Sequence, residues 1–380
     1  MKITPKLNKI IHSAMEKRVM NAYNKKIDLI FHQRPDLNKK VNEEISQKHI
    51  QLYSQLHLPC SDKWLRLYSN LTGVIDYTYL PDDLFYAKIE RIINNCDRTN
   101  GDLEDKNLTS IFIDEKNLPR THLRYVRGIF FNENYEVLTH KQVLNIIHSD
   151  LGNCIGKVAT ESLGGHGVNL FSFKDNRYYT PKNEELTIDW IKSRGESYIF
   201  QEAITQCEFT ARFNPYSANT CRITTLRCPW NGQIIVCKAA IRLGVGTVAI
   251  DNLSSGGIAT AINSHGELGP YAYRWNGMKK FDRHPSSGVA FKGLIHPFYK
   301  KMCDTVIHYA KKIPNYNLIS WDVIADYKGE IKIIELNLTG QGTHIHQFAF
   351  GSFFGEHTES LINWIAAHSE LDTFKHIRTF

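Results

Sequence analysis

Beyond residue 120 the chain alternates strand-like runs with connections too short to carry a crossover, and this narrows the fold more than any other feature. Runs at 129–131, 157–160, 168–173, 197–201, 222–227, 233–242, 319–325 and 331–336 carry the β-branched and aromatic residues of strands. Trp230-Asn231-Gly232 is nearly all that separates one pair, and Tyr327-Lys328-Gly329-Glu330 lies between another. A parallel pair needs about a dozen connecting residues, so these pairs read as antiparallel hairpins. Helical stretches at 140–148, 187–192, 297–311 and 357–368 fall between or after them. Antiparallel sheets with a few helices define an α+β protein and argue against a doubly wound parallel sheet.

The first hundred residues differ in character. They read as helical, with Pro35, Leu58-Pro59 and Leu80-Pro81 punctuating helices such as 38–56 and 82–95. Ser61-Asp62 and Pro81-Asp82-Asp83 are suited to starting helices. The polar, glycine-containing stretch 94–105 reads as a linker. Three parts follow: a helical region over 1–100, a smaller mixed part over 101–196 and a larger one over 197–380. With 42% hydrophobic and 22% charged residues the chain is not disordered.

The net charge of +7 is concentrated at the start, where residues 1–50 hold eleven Lys and Arg against five Asp and Glu. Segment 6–31 has a helical period, with Leu7, Ile10, Ile11, Ala14, Met15, Val19, Ala22 and Tyr23 on one stripe. Lys9, Lys17, Arg18, Lys25 and Lys26 lie elsewhere on it. Such a helix either packs its stripe on the protein or rests on an anionic membrane surface. No zinc-finger, RNP or KH pattern accompanies the charge, so nucleic acid is not an expected partner. No apolar run approaches the roughly 18 residues of a membrane span. The 8 cysteines include no C-x-x-C pair, and no secretory apolar segment opens the chain. A cytoplasmic protein with reduced thiols is expected, at the inner membrane face if the basic helix binds there.

Several motifs fail on inspection. Gly152-Asn153-Cys154-Ile155-Gly156-Lys157-Val158 has one residue too few for a P-loop and valine in place of the magnesium-binding hydroxyl. Gly244-Val245-Gly246-Thr247-Val248-Ala249 approximates a dinucleotide fingerprint but runs into a loop where the fingerprint needs a helix. There is no G-x-S-x-G elbow.

Three features point to one chemistry. Lys157 lies on a strand that runs into the glycine-rich turn Ser162-Leu163-Gly164-Gly165-His166-Gly167; backbone N–H groups there can fold over an anion while the lysine adds a point charge. Read otherwise, it is a hairpin with a flexible tip. Gln201-Glu202-Ala203-Ile204 closes an apolar strand, whose edge can offer backbone groups to an adenine ring. Asp322 lies on one strand of the last hairpin, Glu335 and Asn337 on the other, and the latter two share a face because they are two apart. Two carboxylates and an amide suit magnesium, which takes few protein ligands and fills its shell with phosphate oxygens and water. Glu335 sits in an apolar run, where an unpaired carboxylate is costly.

This order of lysine, glycine loop, Gln-Glu hinge, arginine and Asp…Glu-x-Asn resembles the ATP-grasp ligases, the superfamily of D-alanine–D-alanine ligase and glutathione synthetase. Asp105-Lys106-Asn107, Asn219-Thr220-Cys221-Arg222-Ile223-Thr224-Thr225-Leu226, Asp251-Asn252…Gly256-Gly257 and Glu335-Leu336-Asn337-Leu338-Thr339-Gly340 resemble its sugar-transfer associated branch, related to α-L-glutamate ligases. The resemblance covers roughly residues 60–365 and leaves the first helix outside.

It implies an ATP-grasp fold, two α+β lobes clasping ATP, with an N-terminal helical extension. Lys106 and Lys157 would hold the phosphates, and Ser162, Gly164, Gly165, His166 and Gly167 would close over them. Gln201, Glu202, Ala203 and Ile204 would meet adenine, and Glu208 is the candidate for ribose because Thr220 stands where an acid is often found. Asn252 would sit at the phosphate end. Arg222 and Arg242, with Lys157, would act on the transferring phosphoryl group or hold a carboxylate, and Asp322, Glu335 and Asn337 would carry two Mg2+ ions. The implied reaction joins a small-molecule or sugar-linked carboxylate to an amine such as an amino acid through an acylphosphate, as in capsule or O-antigen synthesis or in making a small peptide. Two other readings keep the fold: a kinase with a hydroxyl acceptor, and an inert binding module.

Overall fold

The computed structural model describes residues 5–94, 104–160, 167–247, 251, 253 and 256–371. The chain opens with helices α1 (Pro5–Gln33), α2 (Glu43–Ser54) and α3 (Lys63–Thr72). Then α4 (Asp82–Leu84) passes through a π-helical turn at Phe85–Ile89 into α5 (Glu90–Asn94). The helix expected over 38–56 begins later, because the Asn42 side chain accepts from the N–H groups of Glu44 (2.8 Å) and Ile45 (3.4 Å) and caps α2 there.

Helix α1 packs on the protein along a stripe of Met20, Ile27, Ile30 and Phe31, with Val19 and Tyr23 beside it. Ile10, Ala14 and Ala22 of the expected stripe are exposed instead. Alanine contributes little apolar area, so the larger side chains further along decide which face turns inward. No described helix is long and apolar enough to cross a membrane.

Two antiparallel sheets follow. The first contains β1 (Thr121–Val126), β2 (Ile129–Phe131), β3 (Cys154–Val158), β4 (Asn169–Lys174), β5 (Arg177–Tyr179) and β6 (Ser197–Glu202), in the order β2-β1-β6-β3-β4-β5. Residues 197–202, which the sequence division groups with the third part, are thus an inner strand here, because β6 pairs with both β1 and β3. Helices α6 (His140–Ile147) and α7 (Ile188–Lys192) cover one face, packing Val143, Ile147 and Ile191 against Phe171, Tyr178, Tyr198 and Phe200. Gly156 lies under this layer: a Cβ there would overlap the Tyr198 hydroxyl and come 2.8 Å from Phe171. This packing gives the glycine of the failed P-loop pattern a reason to be small. Gly156→Ala is expected to destabilise the protein by about 1–3 kcal/mol, read from the urea midpoint.

After α8 (Glu208–Ala211) comes the second sheet: β7 (Cys221–Arg227), β8 (Ile234–Leu243), β9 (Ile258–Ile262), β10 (Ala272–Arg274), β11 (Lys279–Phe281), β12 (Leu318–Ala325) and β13 (Ile331–Asn337). Its order is β11-β10-β9-β8-β7-β12-β13, a meander onto whose first strand the β12–β13 hairpin is added. Helix α9 (Tyr299–Lys312) covers one face, where Met302 and Val306 meet Ile223, Trp321, Val323 and Ile333. Short α10 (Thr343–His346) and α11 (Thr358–Ala367) follow the sheet. The opposite face is partly roofed by the N-terminal helices, with Ile27, Trp64 and Tyr68 in one cluster with Ala240, Ala259 and Tyr273. Asn94 ties that roof down: its amide donates to the carbonyls of Leu318 (2.7 Å) and Leu338 (2.8 Å), and its oxygen accepts from the Leu318 N–H (2.8 Å).

Candidate functional site

The site is a row laid across three strands. Asp322 on β12 stands directly opposite Arg222 on β7 and Glu335 on β13. Cross-strand partners point to the same face, so the register alone lines up the guanidinium and the two carboxylates. The neighbours Trp321 and Val323 alternate to the other face, into the core under α9. A β-bulge follows Asp322, so Val323 pairs with Ile333 and Ile334 is left over.

The arginines hold Asp322. Arg222 is bidentate, with Nε on Oδ1 and Nη2 on Oδ2, both at 2.8 Å, and Arg242 Nη2 reaches Oδ2 at 3.1 Å. Burial by itself would raise the carboxyl, but the two guanidinium groups outweigh it and hold Asp322 at about 2. Arg242 is fixed in turn by Thr220, whose Oγ1 accepts from Nε (3.1 Å) and Nη2 (2.7 Å). Asp251 accepts from the Thr220 N–H (2.9 Å) and hydroxyl (2.6 Å) and stands 3.6 Å from Arg242. Thr220 is therefore a bracket for Arg242.

The ammonium groups come from β3 and from the turn that runs beside its end. Lys157 on β3 donates to the carbonyl of Ile334 at 3.4 Å, and Lys106 lies 3.4 Å from Glu335. Lys106 is placed by its backbone N–H, which donates to Ala159, just past β3 (3.0 Å). Burial and then the charge of Lys106 lower Lys157 from 10.5 to about 8, with Glu335 and Asp322 opposing. The unfolded chain thus binds the Lys157 proton more tightly. Between about pH 8 and 10.5 this residue makes stability rise with pH, whereas below pH 8 its buried charge is a constant cost. Lys157→Met is expected to abolish that rise in urea midpoints measured across the window.

Asp251, Thr220 and Glu104 are site residues the sequence reading did not assign. Glu104 accepts from the N–H of Leu338 at 2.6 Å, and burial, with Glu335 nearby, raises its carboxyl. The segment Asp251-Asn252 marks a resemblance, but nothing in it tells that the aspartate serves Arg242 through Thr220. Nothing in the spacing marks Glu104.

Among the described residues no three His, Cys, Asp or Glu side chains converge as a metal site. The donor set is Asp322, Glu335 and the Asn337 amide, which suits a cation that takes one or two carboxylates and completes its shell elsewhere. Asn337 has a buried amide end with no hydrogen-bond partner. Amide oxygen and nitrogen are interchangeable in assignment, so an oxygen ligand fits there. The three arginine bonds leave Asp322 one of its roughly four acceptor positions. These residues therefore fit magnesium.

A cleft of about 900 Å³ runs beside the end of β6, lined by Ile155, Asn169 and residues 202–206. Gln201 is turned inward, donating to Thr121 Oγ1 at 3.1 Å, and Glu202 accepts from the Arg120 N–H at 2.9 Å. The Ala203 N–H donates to Asn153 at 2.9 Å. Glu202, Ala203 and Ile204 line this cleft, whereas Glu208, at the start of α8, lines a second one of about 430 Å³ with Phe209, Arg212, Phe298 and Tyr327. Gly167 adopts the left-handed conformation at φ 81° before β4. Ser162, Gly164, Gly165, His166 and Asn252 lie outside the described residues.

The family model for sugar-transfer associated ATP-grasp proteins matches residues 93–361. The chain belongs to this family. The two antiparallel sheets are thus an ATP-grasp fold carrying an N-terminal helical extension, most of which precedes the match. Among solved structures, the ADP complex of PurK, N5-carboxyaminoimidazole ribonucleotide synthetase, is 12% identical with a TM-score of 0.40. That alignment covers 68% of this chain and 52% of PurK, so the ATP-grasp chain spans about half of that relative's length. The VanG D-Ala:D-Ser ligase from Enterococcus faecalis is 11% identical with a TM-score of 0.40, over 69% of this chain and 61% of that one. The ATP-grasp ligase PsnB, complexed with minimal precursor, Mg and ADP, is 15% identical with a TM-score of 0.37, over 69% and 59%. The chain has no match among curated proteins.

Proposed function

We propose that this ATP-grasp protein is an ATP-dependent carboxylate–amine ligase that forms an amide bond through an acylphosphate. In this reading it joins an amino acid to a sugar acid during capsule or O-antigen synthesis, or makes a small peptide. The observation that carries the proposal is the Arg222–Asp322–Glu335 row, met by Lys157 of β3 and by Lys106 from the turn beside it.

Two facing ammonium groups and two guanidinium groups make a site for a polyphosphate and a carboxylate together. Lys106 and Lys157 would grip the phosphates, and a phosphate near Lys157 would favour its charged form. Arg222 and Arg242, braced by Asp322 and Thr220, would present fixed positive charge where the phosphoryl oxygens gather it. Asp322, Glu335 and Asn337 would hold magnesium, in two ions on our reading, which when bound offsets charge on the phosphate oxygens. The carboxylate of the acid attacks the γ-phosphorus and ADP leaves; the amine then attacks the acyl carbon, phosphate leaves and the amine loses a proton. No protein nucleophile is required. Residues 202–204 would face adenine in the cleft beside β6, whereas Glu208 lines the other cleft and is not carried forward as the ribose ligand.

Mass spectrometry of products from Mg-ATP with paired sugar acids and amino acids tests the reaction type. A product lighter by one water than acid plus amine supports ligation. A product heavier by a phosphate group than one substrate would show a kinase instead, and absence of Mg-ATP binding by calorimetry would leave only a binding module.

A further inference from the structure

Helix α1 precedes the family-matched residues, yet it reaches the rim of the site. Gly342 follows β13 in the left-handed conformation at φ 70°, and a Cβ there would come 3.3 Å from Arg222 Nη1. That nitrogen is the one Arg222 does not spend on Asp322. The Gly342 N–H donates to the Tyr86 hydroxyl at 3.0 Å, and Tyr86 stacks on Tyr23 of α1 with centroids 4.9 Å apart. One turn on, the Lys26 ammonium lies 4.3 Å from the centre of the Trp275 ring, which in turn sits 4.1 Å from His344. The rim thus closes on itself, with Arg222 at one end and Lys26 at the other.

Lys26 is a half-buried cation held against aromatic faces. Among the described residues no carboxylate lies within ion-pair distance of it; Asp82, the acid that acts on it through space, spends one oxygen on Tyr68 and Thr343. Burial raises Asp82 to about 7, so near neutrality its charge is only partly present to answer Lys26. A cation placed this way, partly exposed and without an ion-pair partner among the described residues, can take an anion brought by a ligand, and the aromatic faces suit the hydrocarbon beside it.

We propose that α1 completes the acceptor end of the site, with Lys26 binding the non-reacting carboxylate of an amino-acid acceptor whose amine is directed toward the Arg222 end. This rests on the ligase reading with an amino acid as the amine, and adds the residue that holds the acceptor's free carboxylate. The specificity residue comes from the extension and not from the family-matched segment.

Acetylation of Lys26 by acetic anhydride, read by mass spectrometry on the full chain loaded with Mg and a non-hydrolysable ATP analogue, tests this. Each common amino acid is the probe, compared with its own primary amide. At least one amino acid is expected to slow labelling of Lys26 by about tenfold while its amide does not, the ratio a charge-assisted bond gives. For that amino acid, Lys26→Met is expected to weaken binding by about tenfold and Lys26→Arg to restore it. If the analogue binds but no amino acid protects Lys26, or the amide protects equally, the proposal fails and the ligase reading stands. If the analogue does not bind, the ligase reading fails and takes the proposal with it. Should Lys26→Met not fold, the protection pattern of the unaltered protein decides alone.

Discussion

Glu335→Gln is expected to lower ATP turnover on the order of 10² to 10³-fold, the usual effect of removing one charged group from a phosphoryl-transfer site. The side chain keeps its shape and loses only its charge. Glu335 is 29% exposed, so folding is expected to survive. ADP release by the variant, with its urea midpoint as a control, measures both. Normal turnover would remove Glu335 from the chemistry and with it the assignment of the β13 carboxylate and amide to magnesium.

The second large effect is on stability. Asp322→Asn is expected to cost about 3–5 kcal/mol, because it strips the counter-charge from two guanidinium groups at once in a place where water cannot replace it. Asp322 is 4% exposed and Arg242 9%. The carboxyl is held at about 2, so the native pair persists far into acid and the loss belongs to the variant at neutral pH. Urea unfolding of the two proteins measures it. A shift below about 1 kcal/mol would mean that the arginines find other partners or stay solvated.

The β12–β13 hairpin was legible because its two strands are apolar and a Lys328-Gly329 turn joins them. Hairpin register follows from so short a connection, and with it the shared face of Glu335 and Asn337. The alignment of Arg222 with that pair was not legible. It depends on β7 pairing with β12 across 100 residues, and no local pattern encodes such a register. The strands β1, β5, β9, β10 and β11 were missed for a related reason: they are short or interrupted by charge, and sheet neighbours decide their state. Helix α1 was recognised as a helix from its period, but its placement was open. Charge on its surface said nothing of Lys26 facing Trp275, because that contact is made with a residue far along the chain.

The helical roof over the second sheet has a practical consequence. A recombinant fragment begun at residue 93, where the family match starts, would strip the cover from Ala240, Ala259, Tyr273, Ile345 and Phe348. It would also turn a greasy plane toward solvent beside the reactive groups, inviting self-association before any assay could be run.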